Sequence, residues 1–88
     1  MAKFKLVPTT RFKRLRRKLP PELEQPVKKA LGLLQENPLH PSLRTKKYQS
    51  IEGVWESSIN MNYRILWEYD EAKKNIIILL AIGDHDIF

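Results

Sequence analysis

Proton transfer near neutral pH needs a side chain that changes charge there, and this 88-residue chain has no cysteine and two histidines, His40 and His85. His85 lies between Asp84 and Asp86, carboxylates that favour the imidazolium and orient the ring, which suits a general acid or a general base. The competing reading is a solvent-exposed histidine in a terminal turn. His40 sits in a proline-rich loop, as a second proton-transfer group or as a solvated loop residue. Arg64 falls in an alternating segment, on the side opposite Tyr63 and Ile65. Its permanent charge and forked donors fit a phosphate; an ion pair with Glu56, Glu68 or Asp70 is the alternative.

Cations surround these groups along the chain. Arg44, Lys46 and Lys47 lead into the Arg64 segment, as phosphate contacts or as an ordinary soluble loop. Tyr48, Tyr63 and Phe88 carry rings able to stack on splayed bases, although the spacing of Tyr63 with Ile65 and Trp67 places it in the core. Phe88 is the last residue of the sequence, so its carboxylate would repel phosphate unless the chain continues. Residues 1–30 hold ten basic and two acidic side chains, a balance of +8, whereas residues 31–88 hold six and eight, a balance of −2. Six of the eight residues from Arg11 to Lys18 are basic, which favours a polyanionic partner for Arg14, Arg16 and Arg17 over a plain solvated face.

The elements that must position these groups follow from hydrophobic periodicity. Phe4 and Leu6 alternate with Lys3 and Lys5, predicting a strand over residues 2–7 that Pro8 ends. Thr9 or Thr10 caps a helix carrying Phe12, Leu15 and Leu19, stopped by Pro20 and Pro21. A second helical stripe runs Leu23, Val27, Ala30, Leu31 and Leu34; Pro26 demands either a kink or a short turn before a helix starting near it. Residues 39–50 read as a surface loop. Trp55, Ile59 and Met61 alternate with Glu56, Ser58 and Asn60, and Tyr63, Ile65, Trp67 and Tyr69 alternate with Arg64, Leu66, Glu68 and Asp70, predicting two half-buried strands. A polar hairpin loop over 70–75 then leads into the apolar run Ile76–Ile82, a strand buried on both faces. The order β-α-α-β-β-β implies a single α+β domain over residues 1–88, a helical hairpin packed on a small antiparallel sheet.

Three stretches in this order carry a resemblance: NPLHPSLRTKK, EGVWESSINMNYRILWEYD with its Tyr63-Arg64 pair, and LLAIGDHDIF. Through them the chain resembles the RelE/ParE superfamily of toxins from bacterial type II toxin–antitoxin systems over essentially its whole length. Many members cut messenger RNA, often on the ribosome, the ParE branch poisons DNA gyrase, and an antitoxin wraps and neutralises both. Where RelE itself carries lysines before the Tyr-Arg pair, this chain has Trp55 and Ser57; where the YafQ branch carries a histidine and an aspartate, it has Ser58 and Asn62. It keeps His40 and His85 as YafQ does and Arg64 as RelE does.

The resemblance implies a metal-independent endoribonuclease with His85, Arg64 and His40 as its catalytic candidates. Arg44, Lys46, Lys47, Tyr48, Arg14, Arg16, Arg17 and Phe88 are the candidate RNA contacts. The implied partners are a cognate antitoxin, messenger RNA and the ribosome. The rival of another class is a non-enzymatic binder, either a gyrase-poisoning toxin or an inactive relative that only engages an antitoxin. No cofactor or metal is expected, because the two histidines with Asp84 and Asp86 match no zinc spacing, and no phosphate-cradling glycine loop or serine triad is present. The longest apolar run, seven residues from Ile76, is far short of the roughly 20 that a spanning helix needs, and no signal peptide is recognisable. A cysteine-free domain fits the reducing cytoplasm.

Overall fold

The apolar run of the C-terminal half becomes the second strand of a five-stranded sheet, which is why it carries no charge. In the computed structural model, which describes residues 3–84, the chain forms β1 (Lys5–Pro8), α1 (Thr10–Arg17), α2 (Glu24–Glu36), β2 (Lys46–Lys47), β3 (Trp55–Ser58), β4 (Tyr63–Tyr69) and β5 (Ile76–Asp84). Short 3-10 turns at Pro21–Leu23 and Pro41–Leu43 precede α2 and β2. The sheet order is β1-β5-β4-β3-β2. β2 to β5 are antiparallel neighbours, as the alternation predicts, while β1 joins β5 in parallel, so the sheet is mixed.

Several boundaries differ from the sequence expectation, each for a local reason. The N–H groups of Lys3 and Phe4 both donate to the Gln35 carbonyl at the end of α2, so strand pairing starts only at Lys5. The loop over 39–50 contains structure: Leu43 is buried in the core, and Lys46 and Lys47 pair with Glu56 and Trp55. Of the two options for Pro26, the structure takes the short turn, Pro21–Leu23, ahead of the helix. Pro26 is the third residue of α2, where its missing N–H would have had no helical acceptor anyway. Thr9 is the cap of α1: its hydroxyl accepts from Phe12 N and donates to the Leu79 carbonyl, tying the helix to β5.

Phe12, Val27, Ala30 and Leu34 of the helices pack on Ile65, Trp67, Ile77, Leu79 and Ile82 of the sheet. Strict alternation from Ile77 would turn Ile82 away from the helices. A bulge prevents this: Leu66 faces Ala81 and Trp67 faces Leu79, so Leu80 is the extra residue and the inward face resumes at Ile82. Leu66, read as an outward position, is also buried, with Val54 and Ala81, in a second cluster on the other face, where Leu15 of α1, Tyr48 and Leu80 pack against it. Met61 lies in the turn after β3 and is 83% exposed.

Inside this core runs a directional chain of hydrogen bonds. The Trp67 indole donates to Ser57 Oγ at 2.8 Å, Ser57 and Thr45 hydroxyls lie 2.7 Å apart, and Thr45 Oγ1 donates to the Pro38 carbonyl at 2.6 Å. Because the Thr45 hydrogen is already committed, the hydrogen between the two hydroxyls belongs to Ser57. The chain fastens the loop before β2 to β3 and β4. Ser57→Ala strands the indole donor and should cost about 1–3 kcal/mol in urea unfolding. Adding Trp67→Phe to Ser57→Ala should cost less than the sum of the two single changes, because no buried donor is then left without an acceptor; additive losses would contradict the relay.

Candidate active site

Period-two geometry decides which side chains reach the open face of the sheet. Trp55, Ser57, Ile65 and Trp67 point to the helices, so Glu56, Ser58, Arg64 and Leu66 point the other way. β2 places Lys46 directly opposite Glu56 on that face. The β3–β4 turn is held by Asn60, whose Oδ1 accepts from Asn62 N at 2.8 Å and Tyr63 N at 2.9 Å. This asparagine fixes where Arg64 enters β4.

Glu56 is 6% exposed. Its Oε1 lies 3.3 Å from both Lys46 Nζ and Arg64 Nη1. Both cations use the same oxygen, and among the described residues Oε2 has no hydrogen-bond donor. Lys46 is the exposed partner and Arg64 the half-buried one, so the Arg64 bond is the better sheltered from water. Of Arg64's three possible acidic partners, the structure selects Glu56. A cavity of about 200 Å3 opens over the pair, lined by Arg44, Lys46, Glu56, Ser58 and Arg64, with Asn60 and Met61 at its rim. Three of the lining residues are cationic and one is acidic, a composition suited to a phosphate.

Arg44 reaches this cavity from a left-handed backbone, φ 49° and ψ 42°, the one described non-glycine residue with positive φ. An L-residue held there costs on the order of 1–2 kcal/mol. The two 3-10 bonds of the preceding turn, with Leu43 buried, hold the conformation.

The other sequence candidates are distributed elsewhere. His40 caps the turn Pro41–Leu43, its Nδ1 accepting from Ser42 N at 3.1 Å, and it does not line the cavity. Lys47 sits 6.0 Å over the Trp55 ring, on the opposite side of β2 from Lys46. Tyr48 packs beside Val54, Leu66 and Ala81 on the open face, next to the cavity rather than in it. Arg14, Arg16 and Arg17 belong to α1; Arg16 and Arg17, with Lys13, rim a separate hollow of about 400 Å3 between the helices. His85 and Phe88 lie outside the described residues. Asp84, the residue before His85, pairs across the ladder with Tyr63, and Gly83 pairs with Arg64. Burial pushes the Tyr69 phenol above its ordinary value, so this ring holds its proton near neutrality.

Glu56 is the residue that sequence reasoning missed as a functional group. The signal was present in its register, two residues from the position facing Arg64 on the same side of the hairpin. Trp55 and Ser57, where RelE-type lysines were looked for, face the helices; the cations of the open face come from Arg44, Lys46 and Arg64 instead.

The sequence matches no protein-family model and no curated protein. Solved structures do match. A chain of the toxin–antitoxin complex RelBE2 from Mycobacterium tuberculosis aligns with a TM-score of 0.73 at 24% identity, over 94% of this chain and 99% of that one. For the archaeal RelE–RelB complex from Pyrococcus horikoshii the TM-score is 0.75 at 12% identity, over 93% and 94%. YafQ from Escherichia coli gives 0.73 at 12% identity, over 96% of each chain.

The fold is that of the RelE toxins. On this RelE fold the open sheet face carries a carboxylate gripped by two cations, with a third cation set on strained backbone beside it. Arg44→Gly separates the backbone contribution from the side-chain one. It should leave stability unchanged or raise it by up to about 1 kcal/mol, since glycine accepts positive φ without strain. Binding of a short RNA, followed by titration, should weaken severalfold; unchanged affinity would remove Arg44 from the site.

Proposed function

We propose that this chain is the toxin of a type II toxin–antitoxin pair and that it cuts messenger RNA by metal-independent attack of a ribose 2′-hydroxyl on the adjacent phosphate. The observation that carries this reading is Glu56, with Oε1 3.3 Å from both Lys46 and Arg64 and Oε2 turned to no described donor. The RelE fold, shared with YafQ and with chains of two toxin–antitoxin complexes, supports the toxin role and the antitoxin partner.

In the proposed step the two cations hold the carboxylate still, and Oε2 takes the 2′-hydroxyl proton as the oxygen bonds to phosphorus. Arg64, Lys46 and Arg44 meet the charge that builds on the phosphoryl oxygens. The bond from phosphorus to the 5′-oxygen breaks, and His85 gives that oxygen its proton. The products are a 2′,3′-cyclic phosphate and a 5′-hydroxyl, with no oxidant, metal or water consumed. Arg14, Arg16 and Arg17 supply long-range attraction to ribosomal RNA from α1, where an acidic antitoxin segment would compete for them. His40 serves the loop as a turn cap.

Single-turnover cleavage of a defined message on ribosomes, with circular-dichroism melting of each variant, tests the assignment. Glu56→Gln and His85→Ala should each lose about 10²- to 10⁴-fold in rate. Arg64→Ala should lose about 10²- to 10³-fold through weaker charge stabilisation. A folded Glu56→Gln protein cutting at the parental rate would remove the base. Growth arrest with intact transcripts and damaged DNA would instead establish the gyrase-poisoning alternative.

A further inference from the structure

The cavity over Glu56 borders a second hollow at the β3–β4 turn. Ser58 and Asn60 line the cavity and also line this larger hollow, about 550 Å3, between α2 and the segments Ser42–Leu43 and Ser58–Asn60. That volume lies within the roughly 300–1,000 Å3 of small-molecule sites. Its chemistry differs from that of the cavity it adjoins. Ala30, Leu33, Leu43 and Ile59 make an apolar floor. Around them stand neutral polar groups: the amides of Gln25 and Asn60 and the hydroxyls of Ser42 and Ser58, with Lys29 as the one charge.

Asn60 has a defined orientation. Its Oδ1 accepts two backbone N–H groups, so its Nδ2 is the end that carries donors for something else. Among the described residues, neither that amide nitrogen nor the Ser42, Ser58 and Gln25 side chains have a hydrogen-bond partner.

We infer that this hollow receives the nucleobase of the nucleotide whose phosphate sits on Arg64 and Lys46, and that Gln25, Ser42 and Asn60 read its edge. The inference rests on the phosphate-binding reading of the neighbouring cavity. A cationic pocket that shares Ser58 and Asn60 with a neutral, half-apolar one reproduces the division of a nucleotide into a charged phosphate and a flat, uncharged, hydrogen-bonding base. A phosphate gains little in a hollow with one lysine, and an acidic peptide would find no ring of cations there. The turn held by Asn60 Oδ1 is thus both the hinge of the β3–β4 hairpin and the wall between the two subsites.

The probes are the four ribonucleoside 3′-monophosphates, ribose 5-phosphate and inorganic phosphate, titrated into the isotope-labelled full chain and followed by backbone and side-chain NMR shifts. The nucleotides should move signals of Arg64 and also of Gln25, Ser42 and Ile59. The two base-free phosphates should move only the Arg64 set and bind about tenfold more weakly. Gln25→Ala with Ser42→Ala, both exposed positions, should bring nucleotide affinity down to that of ribose 5-phosphate without changing the melting temperature. Ser42→Trp, which fills the hollow, should do the same. Nucleotide shifts confined to Arg64 and its neighbours would overturn the base pocket and leave the phosphate site standing. A hollow that responds to an acidic peptide and to no nucleotide would overturn it in favour of a protein partner. Silence at Arg64 with every phosphate would sink the phosphate-site reading, and the base pocket with it.

Discussion

A carboxylate that is 6% exposed costs several kcal/mol to desolvate unless cations and hydrogen bonds meet it, and Glu56 is met twice at one oxygen. That requirement explains the layout of the open face. Lys46 must stand across the β2–β3 ladder from Glu56, so the chain before β3 has to return as a strand rather than wander as a loop. Arg64 must sit two residues along β4, so the β3–β4 turn has to be short and its register exact to the residue. Removing Lys46 or Arg64 would leave the buried Glu56 carboxylate with less compensation than it has now.

The rest of the fold serves that register. The chain from Trp67 through Ser57 and Thr45 to the Pro38 carbonyl ties β4, β3 and the loop before β2 into one unit on the helix side. Lys46 and Arg44 flank Thr45, so the relay under the sheet sets the position of both cations above it. The bulge at Leu80 lets β5 keep Ile77, Leu79 and Ile82 in the core while Gly83 comes opposite Arg64. A glycine there offers no side chain to crowd the guanidinium. β1 pairs with β5 only as far as Leu79; beyond it α1 packs along β5, and Leu15 touches apolar residues of both faces.

Much of this architecture was legible in the sequence because period-two and period-3.6 patterns report burial directly: the two helices, the three longer strands after them, the loop over 70–75 and the core role of Ile65 and Trp67 follow from them, while the short β2 was read as loop and the α1 cap was left between Thr9 and Thr10. What periodicity hides is a polar residue that is buried. Glu56 and Ser57 are adjacent, and both are buried on opposite faces, so neither alternation nor composition marks them. The parallel pairing of β1 with β5 is likewise invisible, since it joins strands from opposite ends of the sequence and no pattern within β1 marks its partner or direction. Arg64 and Lys46 were singled out in the sequence as candidate phosphate contacts by type, and the structure brings both to Glu56. Their convergence with Arg44 needed the left-handed turn, which an arginine does not advertise. His85 remains a sequence-based candidate, one residue past the described ladder.

The central claim is that the open face uses a ribose 2′-hydroxyl as the nucleophile, with Glu56 as its base. A ribosome-bound message bearing a single 2′-O-methyl group at the cut position tests this most directly, with the unmodified message beside it and the ends analysed by mass. The account predicts cleavage of the unmodified strand to a 2′,3′-cyclic phosphate and no cleavage at the blocked position. Equal cutting of both strands would contradict it, because no proton would then have been available for Glu56 to take.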